Sequence, residues 1–109
     1  MSPHSSGPVR VRRRPDQAVE ALRSALGGSR GGANRVRILR ALADRPRNAN
    51  RLADALGLDY KTVRYHLSVL SEAGAVSRGG DRYGAVYLPT SRTRRHWDVV
   101  EAMDDRTED

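Results

Sequence analysis

The chain contains no cysteine. That absence excludes disulfide frameworks, thiolate nucleophiles and thiolate zinc sites together, and it fits a cytoplasmic setting. There is also no apolar run as long as a signal-peptide core or a membrane span, so the sequence reads as soluble and untargeted. Lysine is nearly missing: Lys61 is the only one, and every other basic residue is arginine. Acidic residues are scarce over most of the chain. From Met1 to Arg95 there are 7 of them against 19 basic residues, a net +12, whereas His96 to Asp109 carries six acidic and one basic, a net −5. A basic body with an acidic tail suggests a polyanion as partner, most simply nucleic acid. A GC-rich genome would explain arginine over lysine but not the surplus of positive charge.

At 109 residues the chain is one small domain with short extensions. A chain of this size buries roughly 60–65% of its unfolded surface, which leaves a thin core and favours pairing with a second copy. Residues 1–14 lack a core pattern and end in "VRVRRR", so a disordered basic arm is expected there, solvated or laid along a phosphate backbone. Residues 15–33 read as a short helix over 16–26, with Pro15 at its start, followed by the linker "GGSRGGA". From residue 34 helices follow in quick succession. Asn34 is expected to cap one over 35–44, with Val36, Leu39, Leu42 and Ala43 inward and Ile38 at the edge. Asn48 caps a shorter one, Ala49 to Leu56, and Asp59 caps a third over 59–73, with Gly57 and Gly74 closing the last two. Then the period changes to that of a hairpin, Val76 to Arg78 and Tyr83 to Leu88 around a Gly-Gly-Asp turn. A final helix runs from Arg92 to Met103 after a cap at Thr90 or Ser91, and 90–109 forms a terminal helix with an acidic tail. The fold class is mainly α with a small β-hairpin.

The middle pair of helices meets the requirements of a helix-turn-helix. Leu52 and Ala53 on the first helix, Leu56, Gly57 and Leu58 around the turn, and Val63 on the second stand at the relative positions where helices cross, turn and seat. "DYKTVRYHLSVLSEAGAV" resembles the recognition helix and turn of ArsR-like winged helix-turn-helix regulators, with Val63, His66, Leu67, Leu70, Ala73, Gly74 and Val76 on the family's pattern. The wording "RPRNANRLADALGLDYKTVRYHL" and "YGAVYL" resembles the archaeal, haloarchaeal-type branch. The resemblance covers about residues 34–103. It implies a winged helix-turn-helix over 34–89 and a dimeric transcriptional regulator that binds double-stranded DNA, with the second helix in the major groove and the hairpin as wing.

Helical spacing divides the second helix into two sides. Val63, Leu67 and Leu70 seat it, with His66 among them as a core histidine. Lys61, Arg64, Tyr65 and Ser68 face away. Arg64 has the fork for guanine and Lys61 a single-point contact, Tyr65 joins them as a base-edge candidate, and Ser68 lies nearer the backbone. Tyr60 and Thr62 flank this face. Arg47, Asn48 and Arg51 are phosphate candidates at the start of the shorter helix. Arg78 and Arg82, on either side of the expected turn, are candidates for the minor groove or adjacent phosphates, or are exposed turn arginines. Trp97, Val99, Val100 and Met103 make one broad face of the last helix, expected to pair subunits, with packing on its own domain as the alternative. His4, His66 and His96 are not brought together by any pattern, so no metal or cofactor site is expected. There is no coupled Ser/His/Asp set and no phosphate loop, so an enzyme is not expected either. The rival is a winged-helix protein-interaction module, adaptor or antitoxin-like, working through the N-terminal arm or the acidic tail.

Overall fold

The computed structural model describes residues 15–27, 30–81 and 84–107. The basic arm, Arg82, Tyr83, His4 and the last two residues lie outside them. The elements are α1 (Pro15–Leu26), α2 (Gly32–Asp44), α3 (Ala49–Leu56), α4 (Tyr60–Glu72), β1 (Val76–Asp81), β2 (Gly84–Pro89), α5 (Ser91–Arg95) and α6 (Trp97–Thr107). It is a helical domain with one two-stranded antiparallel hairpin.

Helix α2 is the centre. It packs against α1, α3, α4, α6 and β2, and its Val36, Ile38, Leu39 and Leu42 are fully buried. Ile38, expected at the edge, is as buried as the rest, because helices cover α2 on several sides. Around it stand Leu22 and Leu26 from α1, Leu52 and Ala53 from α3, and Val63, Leu67 and Leu70 from α4. The two caps in the helix-turn-helix form as expected. The Asn48 side chain accepts from the amide of Arg51 at 2.8 Å, and that of Asp59 accepts from Thr62 at 3.2 Å. Gly57 ends α3 at φ 66°, a left-handed conformation that a residue with a Cβ adopts only at a cost.

Three local expectations are corrected. Helix α2 begins at Gly32, not after Asn34, and Gly31 stands at its N-cap without a side-chain bond. The Asn34 side chain instead accepts from Arg37 Nη1 at 3.1 Å. The reason is proximity: the backbone at Gly32 runs against the Leu26 carbonyl, so the second pair of glycines is a close-packed junction between helices. The hairpin turn is displaced too. Gly79, Gly80 and Asp81, expected as the turn, are instead paired in β1, opposite Val86, Ala85 and Gly84. Lastly, the expected single terminal helix is broken at His96 (φ −115°, ψ 36°). Thr90 caps α5, accepting from Thr93 at 3.2 Å, and the buried Thr93 hydroxyl donates to the Ala75 carbonyl at 2.8 Å. These bonds tie α5 to the turn after α4, and the chain must bend before it can return to the core.

After that bend, Val99 (3% exposed), Val100 (0%) and Met103 (7%) pack under α1 and α2. The expectation that they pair subunits is overturned for these three. Burying a side chain of this kind stabilises by ~1.5–3 kcal/mol, and in so thin a core the protomer's own helices take that gain. Trp97 packs at the margin of the same cluster and stays half-buried.

Candidate nucleic-acid interface

Capped by Asp59 and seated by Val63, Leu67 and Leu70, α4 turns its other side outward. Lys61, Arg64, Tyr65, Ser68 and Glu72 are exposed and Thr62 half-buried. Tyr60 and Tyr65 are the only large hydrophobic side chains exposed among the described residues, at 43% and 61%. The division expected from helical spacing therefore holds residue by residue. Ser68 Oγ donates to the Tyr65 carbonyl at 2.7 Å, so its one proton is engaged and only its acceptor capacity faces out.

Beside this face lies a cleft walled by the start of α3, by α4 and by the wing. Asn48, Asn50, Tyr60, Arg64, Arg78 and Tyr87 line it. The structure thus brings together candidates from three separate stretches of sequence, and adds Asn50, which the sequence reading missed. Arg51 is exposed on the neighbouring surface with Arg45. Tyr87 (9% exposed) belongs to the core and carries the wing. Arg47 proves to be structural. Its amide donates to the Tyr87 carbonyl at 3.3 Å and its carbonyl accepts from Tyr87 at 2.9 Å, a one-residue third strand beside the hairpin. Its guanidinium is bonded to Asp44 at 3.1 Å and only 20% exposed. Among the phosphate candidates it therefore differs from Arg51: its guanidinium is folded against the body and turned to the exposed Asp44 carboxylate, which Arg45 shares at 3.7 Å. Arg82 lies outside the described residues.

Behind the recognition face sits a pair that sequence reading found only by half. His66 is buried (5% exposed), as expected of a core histidine, but its partner is Arg35, itself 4% exposed. Arg35 Nη1 donates to His66 Nδ1 at 3.0 Å and its Nε donates to the Ala25 carbonyl at 2.6 Å. A guanidinium only donates, so a neutral His66 carries its proton on Nε2. One arginine thereby links the end of α1 to the recognition helix. The signal was present in the sequence: Arg35, Ile38, Leu39 and Leu42 share one face at helical spacing, so the arginine occupies a core position.

Burial, with the Arg35 charge beside it, pushes the His66 imidazole below its usual range near 6.5. The unfolded chain therefore takes up the proton first. The stability due to neutral His66 is complete above about pH 6.5 and is lost as pH falls from there through the lowered folded value. Urea unfolding at pH 7.5 and 5.5 checks this. Wild type is expected to lose more stability between the two than His66→Gln; an equal loss would remove His66 as the cause.

A three-helix core with a helix-turn-helix and a hairpin beside the second helix defines the winged helix-turn-helix class. Residues 33–78 match the model of the bacterial regulatory proteins of the arsR family, and over that segment the chain is an ArsR-like helix-turn-helix, as its resemblance implied. No curated protein sequence matches the chain. Among solved structures, a homodimeric winged helix-turn-helix DNA-binding domain from Mycobacterium bovis, a possible ArsR-family transcriptional regulator, is similar with TM-score 0.67 at 25% identity, over 83% of this chain and 80% of that one. An ArsR-like transcriptional regulator from a Rhodococcus species gives 0.60 at 22%, over 83% and 85%. A MarR-family regulator from Rhodococcus gives 0.61 at 23%, over 85% and 70%. The last two share the fold.

Proposed function

We propose that this protein is a sequence-specific, double-stranded DNA-binding transcriptional regulator acting as a dimeric repressor on the nucleoid. Helix α4 enters the major groove and the wing meets the adjacent backbone or minor groove. The observation that carries the reading is the outward side of α4: a cation and a tyrosine, Lys61 and Tyr65, exposed on a helix whose opposite side is anchored in the core. Arg51 and Arg78 stand on either side as exposed backbone contacts. The mycobacterial domain, homodimeric and DNA-binding by its description, supports both parts. Of the four residues expected to pair subunits, Trp97 alone remains accessible to a partner. The protein acts by binding, without cofactor or catalysis.

Titration of the purified protein against its own upstream DNA tests this. A dimer favours inverted half-sites about 34–36 Å apart. If Arg51, Arg64 and Arg78 of each subunit neutralise one phosphate apiece, the slope of log affinity against log salt is about −5, and affinity falls roughly 10³-fold from 50 to 200 mM salt. Salt-insensitive binding, or equal affinity for upstream and random duplexes, would overturn the proposal and favour a protein-interaction module.

A further inference from the structure

Arg64 differs from its neighbours on the recognition helix in where it is held. Tyr60 stands one helical turn before it, and its hydroxyl accepts from Arg64 Nη1 at 3.0 Å. The guanidinium carbon lies 5.8 Å from the centre of the tyrosine ring, within range of a cation–π contact. Together these draw the guanidinium back towards the start of α4 and into the cleft shared with α3 and the wing, which Lys61 and Tyr65 do not line.

The groups in that cleft suit an anion. Arg64 and Arg78 are its two cations, and neither has a carboxylate partner among the described residues. The first amides of a helix have no partner within it. Asn48 takes that of Arg51, and the two residues before it in the first turn, Ala49 and Asn50, line the cleft. Of the five N–H groups of the Arg64 guanidinium, Tyr60 engages one, and the remainder suffice for a two-point hold on phosphate oxygens.

We propose that this cleft is a phosphodiester seat, in which Tyr60 positions Arg64 on the DNA backbone, so that base reading by α4 falls to Lys61 and Tyr65. The inference rests on the DNA-binding reading and moves Arg64 from the guanine contact expected of it to the backbone.

The test uses a duplex selected by the wild-type protein from a randomised pool, its scrambled counterpart, and copies of the selected duplex carrying single neutral methylphosphonate linkages. Arg64→Ala should weaken binding to both plain duplexes by the same factor, about tenfold, and reduce the salt slope by about 0.9 for each subunit bound. One methylphosphonate position should weaken wild type and leave Arg64→Ala unchanged. Tyr60→Phe should weaken both duplexes by a smaller common factor, and should have no effect in the Arg64→Ala background. Both side chains are exposed, and unchanged thermal melting confirms that the variants fold. A loss confined to the selected duplex, with the slope unchanged, would place Arg64 on a base and overturn the seat. A Tyr60→Phe effect that persists without Arg64 would overturn the positioning role. If wild type does not prefer the selected duplex, the sequence-specific reading fails, while the salt slope on the scrambled duplex still decides for or against the seat. If wild type binds neither, both fall.

Discussion

Arg35→Leu is expected to destabilise the fold by ~2–4 kcal/mol, the largest effect of any single polar substitution in the described core. The leucine roughly fills the space but leaves two acceptors unsatisfied, the Ala25 carbonyl at the end of α1 and Nδ1 of His66. The Ala25 carbonyl is among the last of its helix, which have no partner within it, and a cation there also meets the negative end of the helix dipole. A domain of this size has a total stability of ~5–10 kcal/mol, so the unfolding midpoint in urea should fall by about a fifth or more. Arg35→Lys should recover only part of the loss, because one ammonium cannot reproduce the planar fork that reaches both acceptors. A double-mutant cycle with His66→Gln isolates the pair: a coupling near zero would mean that the arginine acts through α1 alone.

The second large effect is expected at Gly32. Glycine inside a helix is ordinarily improved by alanine, by ~0.5–1 kcal/mol. Here the sign should reverse. A Cβ at Gly32 would be driven onto the carbonyl oxygen and carbon of Leu26, which are backbone and cannot swing aside. Either the α1–α2 junction opens or the start of α2 unwinds, and Gly32→Ala should destabilise by ~1–3 kcal/mol in thermal or urea unfolding. A stabilised variant would show that the junction is loose. At Gly31 the added Cβ would meet the Arg35 guanidinium and the His66 ring, so the two glycines secure both the helix junction and the buried pair behind the recognition face.

These two positions show why parts of the fold were legible in the sequence and others were not. Helix α4 could be divided into its two sides because its apolar residues repeat at helical spacing and one side alone is covered. The caps at Asn48 and Asp59, and one at Thr90 or Ser91, were legible because a capping side chain acts on amides two or three residues away. Gly32 was read as linker because composition records flexibility and close approach with the same residue. Arg35 was passed over because its partners are 10 and 31 positions distant. The pairing role given to Val99, Val100 and Met103 failed for a similar reason: an apolar face announces burial, but not against which chain.

By itself, then, the sequence determined whatever depends on neighbours a turn or two away: the helix order, the helix-turn-helix and its ArsR-like motif, the seating of α4 and the side it leaves free. The tertiary structure decided what depends on distant segments meeting. It returned α6 to the core after the break at His96, drew Arg47 into a third strand, paired Arg35 with His66, and gathered Asn48, Asn50, Tyr60, Arg64 and Arg78 around one cleft. The physical reason is that caps and helical faces are set by short-range geometry, whereas a buried guanidinium or a shared cleft exists only once separate elements have packed and fixed what each side chain can reach.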